Sequence, residues 1–217
     1  IRLGLVRVGG RVVAKAGSMV DPSSKIELTQ QERYVSRAGL KLASVAKVLS
    51  LDFTNKTVLD IGSSTGGFTD YALRHGASKV IAVDVGTDQL HPSLRGNSKI
   101  DLHEKTDIRD FTTKQAIDII VVDVSFISLR EILPHVSRRL MNPNTFLVAM
   151  VKPQFEASRD QVSKGVIKNN NLRRKILNDF ELWSRQYFVI KDKRDSDVAG
   201  ARGNLERFYL LQLISKK

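Results

Sequence analysis

The sequence predicts an α/β fold with a mostly parallel sheet, on three observations. Short apolar runs at 58–61, 79–84, 117–124 and 145–151 alternate with stretches of helical spacing, the order that builds strand–helix–strand units. Several of these runs are apolar enough to be buried strands. The third is the stretch 58–70, VLDIGSSTGGFTD, which leaves such a strand at Gly62, passes small hydroxylated residues to Gly66-Gly67 and enters a helical pattern that stops at Gly76. A strand that delivers a glycine-rich turn to a helix brings bare backbone N–H groups and a positive helix end against a small ligand.

Taken in order, residues 5–8 and 11–13 read as two short strands around a Gly9-Gly10 turn, with Arg7 and Arg11 on them. A further extended piece follows Val20-Asp21-Pro22, with Ile26 and Leu28 as its apolar alternates and Lys15 and Lys25 nearby. This small sheet cannot hold a core of its own. It is either a decoration packed on the main domain or part of a larger module. Residues 37–50 place Leu40, Ala43, Val45 or Ala46 and Leu49 at helical intervals, with Lys41 and Lys47 off the apolar stripe.

After the opening strand and its helix, 79–84 ends in Asp84, followed by Val85-Gly86. An acid there holds the two hydroxyls of a ribose in doubly wound folds, or else caps the next turn. Residues 100–111 carry a short strand and a loop with Asp107; 117–124 is the most apolar strand and ends at Asp123. A helix over 128–141 contains Pro134, which predicts a kink or a late start. The strand 145–151 stops at Lys152-Pro153, so Asp123 and Lys152 both stand at carboxyl ends of strands, where open α/β sheets place ligands. Residues 155–171 read as a long mobile loop. An amphipathic helix over 172–183 follows, with Leu172, Ile176, Phe180 and Trp183 on one face. A strand at 187–190, a charged loop over 191–204 and a last strand over 207–214 complete the chain.

With 217 residues the chain holds one substantial core and a small appended module. It starts at Ile1 with neither a methionine nor a signal-peptide pattern, as expected of a piece of a longer chain. No long uncharged apolar run is present, which predicts a soluble, cytoplasmic protein without stable membrane insertion. The net charge of +12 and pI near 10.0 favour a polyanionic partner, and the scatter of Lys and Arg over nearly every segment favours nucleic acid over an anionic membrane. Cysteine is absent, which excludes disulfides and thiolate-bound metals, and the four histidines lack ligand spacing, so no metal is expected.

The turn Gly62-Ser63-Ser64-Thr65-Gly66-Gly67 is neither the GxGxxG of a pyrophosphate binder nor a P-loop. Asp60 just before it, with a ribose-binding acid further on, suits a cofactor with an amino-acid end and a nucleoside end, the shape of S-adenosylmethionine. In order, YVSRAGLKL, LDIGSSTGGFTD, VDVGTDQL, VVDVSFISL, VKPQFE and RGNLERF resemble the TlyA-type family of ribosomal RNA 2′-O-methyltransferases, also labelled hemolysins. The resemblance runs from Tyr34 to the C-terminus. It implies an FtsJ-like, Rossmann-like methyltransferase domain over 31–217, whose seven-stranded sheet has an antiparallel last strand. It also implies that 1–30 is part of an S-four-like RNA-binding module, with Gly9-Gly10 where the family has asparagine-glycine.

The resemblance further implies a catalytic tetrad of Lys41, Asp123, Lys152 and Glu206. A ribose 2′-hydroxyl is a poor nucleophile, so a base must take its proton as it attacks a methyl group in line. Lysine serves once burial and a second ammonium favour its neutral form. Lys152 is assigned as that base and Lys41 as the second charge, with Asp123 and Glu206 positioning them. The cofactor is assigned to Asp60, Gly62, Ser64 and Gly66 at its methionine end, Asp84 at its ribose and Asp107, where the family often has asparagine, at its adenine, with Ser63, Gly67, Phe68 and Val85 also counted as cofactor-binding. Asp123 also borders it. Ribosomal RNA or ribosomal subunits are the expected partners. The alternatives are a membrane-damaging hemolysin and an RNA-binding protein whose methyltransferase fold is silent.

Overall fold

The computed structural model describes residues 6–13, 15, 17–28, 34–158, 161–162, 165–167, 169–200 and 203–214. Leu5, Arg202 and the expected domain boundary at 30/31 lie outside them. At the N-terminus, β1 (Val6–Val8), β2 (Arg11–Val12) and β3 (Ile26–Leu28) form an antiparallel sheet in the order β2-β1-β3. Gly9 and Gly10 take φ of 54° and 79° in its turn, values a glycine pair adopts without steric cost.

The main body is a seven-stranded sheet of β4 (Thr57–Ile61), β5 (Lys79–Val83), β6 (Ile100–His103), β7 (Ile119–Val122), β8 (Phe146–Val151), β9 (Phe188–Asp195) and β10 (Arg207–Leu213). Their order is β6-β5-β4-β7-β8-β10-β9, and β10 runs against both of its neighbours. Strand order therefore reverses between β4 and β7, which pair directly. Beyond the carboxyl ends of those two strands the loops lead apart and leave a crevice.

Each central strand is buried on both faces, so neighbouring residues feed different cores. Leu59, Ile120, Leu147 and Tyr209 pack with α3 (Leu129–Arg139) and α5 (Asn170–Ser184). Val58, Val121, Val148 and Phe208 pack with α1 (Arg37–Ala46) and α2 (Gly67–Arg74).

Several elements depart from expectation. α1 stops at Ala46, and Lys41 lies on its buried side, because the carboxylate of Glu206 meets it there. α3 runs through Pro134 rather than starting late; its first turn is capped from outside by Glu156, while the proline carbonyl accepts from Ser137 Oγ and Arg138 Nε. The segment after β8 opens with a helical turn, α4 (Pro153–Glu156), and Ile167 further on is buried with its N–H on Asn204 Oδ1, so its described residues are anchored. β9 extends to Asp195 through residues whose exposed charges hid the strand. On α5 the buried face is Arg173, Ile176, Leu177, Phe180 and Ser184, while Leu172 and Trp183 are partly exposed.

Arg173 is buried because Asp195 receives it. Its Nη2 lies 2.6 Å from Asp195 Oδ1, its Nε donates to Leu205 O, and Arg207 Nε binds the same aspartate at 2.6 Å. Burial raises the Asp195 carboxyl, but bonds from Arg207 and Arg173 outweigh it and hold the group below its usual range. One carboxylate thus ties α5, β9 and the start of β10. Asp195→Ala strands a buried guanidinium and is expected to cost about 2–3 kcal/mol in urea unfolding; a change under about 0.5 kcal/mol would show that the cluster does not hold these elements.

Candidate active site

The glycine-rich turn is shaped by contact with the neighbouring strand's exit. Gly62 has φ 79°, its N–H donates to Val83 O at 2.9 Å, and a Cβ there would meet Asp123 O at 2.7 Å. Only glycine lets the two strand ends approach so closely. Gly66, with φ 88°, starts α2 without a side-chain cap, and a Cβ on it would strike Leu90 and Leu94. Asp84 bridges two loops: Oδ2 accepts from Ser64 N at 2.8 Å and Oδ1 from Gly86 N at 2.7 Å. It therefore caps its own turn and also clamps the glycine-rich one.

Two cavities open on this turn. One, of about 360 Å³, lies between Asp84, Val85 and Asp107 on one side and Phe126, Ile127 and Ile132 on the other. The second, of about 520 Å³, is lined by Ser36, Arg37, Lys41, Asp60, Ser63 and Lys152 among others. Gly62, Ser64, Asp123 and Ser125 belong to both walls and so mark their junction. Gly67 and Phe68 also border the second cavity, Phe68 with its ring mostly buried in the core; Gly66 borders neither.

The four tetrad positions form two ion pairs. Lys152 Nζ lies 2.6 Å from Asp123 Oδ1 and donates to Ser125 Oγ at 2.7 Å. Lys41 Nζ lies 2.5 Å from Glu206 Oε2, and all but a tenth of each side chain in this pair is buried. Lys41, Asp123 and Lys152 line the second cavity, whereas Glu206 is joined to them through Lys41.

Asp60 is fully buried at the floor. Thr69 Oγ1 donates to its Oδ2 at 2.6 Å, while its Oδ1 and the hydroxyl of buried Ser63 have no partner. Burial, with the nearby Asp123 and Asp84 charges, pushes the Asp60 carboxyl up to about 7 against the bond from Thr69. Unpartnered buried oxygens are costly and await a donor. At the far end, Asp107 is held bidentate by Arg109, which keeps its carboxyl below the usual range and turns both oxygens toward that guanidinium. Among the described residues no cluster of His, Asp or Glu could hold a metal, and no helix is long and apolar enough to cross a membrane.

Sequence reasoning missed Ser125, Phe126 and Glu156. Phe126 is 92% exposed with φ 67°, its ring 5.4 Å from that of Phe155. An aromatic three residues after the strand-end acid Asp123 was its signal. The Glu156 side chain is buried and accepts from Ser128 Oγ and Leu129 N; burial raises its carboxyl against those two bonds.

Residues 34–213 match the family described as FtsJ-like methyltransferase. Hemolysin A of Brachyspira hyodysenteriae is 40% identical over 99% of this chain and 90% of its own. The 23S rRNA (cytidine-2'-O)-methyltransferase TlyA of Campylobacter jejuni is 40% identical over 82% of this chain and 70% of its own. A solved structure from Streptococcus thermophilus, described as a candidate hemolysin, superposes with a TM-score of 0.84 at 35% identity, over 99% of this chain and 81% of that one. With its seven-stranded sheet, its reversed strand order and its glycine-rich turn, the chain belongs to the FtsJ-like methyltransferase family.

Proposed function

We propose that the protein transfers a methyl group from S-adenosylmethionine to a ribose 2′-hydroxyl of ribosomal RNA. The observation that carries the reading is Lys152, held by Asp123 and Ser125 where the two cavities meet. The substrate class rests on the activity named for the Campylobacter relative and on the chain's charge of +12, which suits a polyanion.

The residues present fit the cofactor. The unpartnered oxygens of Asp60 and Ser63 suit the ammonium of a methionine end, and the Gly62 backbone leaves room beside them. Asp84 would meet the ribose, and the apolar wall of Val85, Ile108 and Ile132 would take the adenine. Asp107, already bound by Arg109, offers that ring less than the sequence implies. When bound, S-adenosylmethionine supplies an electrophilic sulfonium methyl group.

The chain's own residues do the rest. Lys152 must first give up its own proton before it takes that of the ribose 2′-hydroxyl; Asp123 and Ser125 fix where its nitrogen sits. Lys41, steadied by Glu206, orients the ribose from the other wall of the cavity. Phe126, exposed at the mouth, offers the target base a stacking face.

Lys152→Ala should lower methyl transfer to 23S rRNA at least about a hundredfold, with cofactor affinity by calorimetry near wild type; retained turnover would remove Lys152 as the base. Asp60 ties affinity to pH. An ammonium favours the carboxylate, so cofactor affinity should rise from pH 6 to pH 8 in the wild type and stay flat in Asp60→Asn. In the cofactor-free protein the sign reverses. A carboxyl raised from 3.8 to about 7 on folding stabilises the native state at low pH, and that contribution is lost as pH climbs through 7. Melting temperatures of the two proteins should therefore converge on acidification and separate, with Asp60→Asn higher, toward pH 8. Phe126→Asn, which suits a positive φ, should keep or slightly raise the melting temperature while weakening methylation; loss of both would mean that the ring is structural.

A further inference from the structure

We propose that Glu156 is a positioning residue for the RNA substrate, holding Phe126 in the posture that turns its ring outward at the site's mouth. The inference rests on the methyltransferase reading above. Phe126 is a non-glycine residue at φ 67°, a conformation that costs about 1–2 kcal/mol. With 92% of its surface exposed, no burial offsets that cost. Such strain persists only where the surroundings over-determine it.

The surroundings are two ties on either side of the residue, both to one short segment. Upstream, Asp123 and Ser125 are bound by Lys152 at 2.6 and 2.7 Å. Downstream, Ser128 Oγ donates to Glu156 Oε2 at 2.6 Å and Leu129 N to Oε1 at 2.7 Å. Lys152 is the N-cap and Glu156 the last residue of the single-turn α4, so the turn sets the spacing of the two ties. The two ties bracket residues 126–127, so Phe126 lies on the short stretch that they hold. Phe155, on the same turn between the two ties, brings its ring within 5.4 Å of Phe126. The Glu156 side chain is 1% exposed and has no access to substrate, so it acts on RNA through the loop.

The test compares Glu156→Ala, which removes both downstream bonds and the 3.5 Å ion pair with Arg130, with Glu156→Gln. The amide oxygen of the latter can accept from Leu129 N while its NH₂ donates to Ser128 Oγ. Both are assayed with 23S rRNA at a temperature where circular dichroism shows each variant folded. Glu156→Ala should raise KM for RNA roughly tenfold, the loss of one stacking contact, and by a clearly larger factor than any loss of cofactor affinity by calorimetry, since Phe126 also borders the cavity assigned to the nucleoside. Glu156→Gln should restore most of it. In a Phe126→Asn background, Glu156→Ala should add little, since both act through one ring. A wild-type KM in Glu156→Ala, full additivity with Phe126→Asn, or a parallel fall in cofactor affinity would overturn the proposal. If the wild type does not methylate this RNA, the function assigned above fails. The clamp is then judged by filter binding of the same RNA, where the same pattern among the variants sustains it and equal affinities overturn it.

Discussion

A lysine ammonium cannot be withdrawn from water without an acid to meet it, and this requirement organises the molecule's working end. Lys152 and Lys41 are both largely buried, and each has one carboxylate at ion-pair distance. Removing either partner of such a pair leaves an uncompensated charge, typically 3–5 kcal/mol. The pairs therefore fix which backbone segments must converge. Asp123 and Lys152 join the ends of adjacent strands β7 and β8, whereas Lys41 and Glu206 join α1 to the start of β10 across most of the chain's length.

The sheet makes the first convergence inexpensive and the second demanding. β7 and β8 are parallel neighbours, so residues just past their ends lie side by side whatever the loops do. Glu206 arrives on a strand running the other way, and its segment needs its own anchors. Ser196 N donates to Glu206 O, Arg173 Nε to Leu205 O, and Asn204 binds both Gly165 O and Ile167 N. The antiparallel β10 thus carries an acid to the same end of the sheet at which the parallel strands finish.

What was legible in the sequence follows from the range of the interactions. The strands β4, β5, β7 and β8 were plain because full burial demands continuous apolar runs, and Asp60, Gly62, Asp84 and Asp123 because they adjoin those runs. The buried face of α1 was not. Lys41 reads as solvent-facing until Glu206, 165 positions away, is known to meet it. Arg173 and the charged half of β9 were hidden likewise, since Asp195 neutralises one and the sheet edge exposes the other. Pro134 does not delay the helix, because the start is fixed before it: Ser128 caps Arg130 N and Glu156 accepts from Leu129 N. The tetrad itself came from resemblance, because no local pattern marks four residues that share a site only after folding.

Pairing each lysine with an acid also separates two tasks that a basic protein might be thought to perform with the same residues. The two ion pairs carry no net charge between them, so they add little to the long-range field. The chain's charge of +12 must act from its other basic residues, where each contact with phosphate would weaken as salt rises. Attraction of a polyanion is thereby assigned to exposed charge, screened and tolerant of position. Under the proposed function, chemistry falls to charge that is buried, paired and fixed to within hydrogen-bonding distance. Asp60 stands apart from both. A carboxyl pushed up to about 7 by burial, with one unpartnered oxygen, is a poor structural element, and its cost is what a cationic group beside it would relieve. The floor of the site therefore favours a ligand that brings its own positive charge over one that does not.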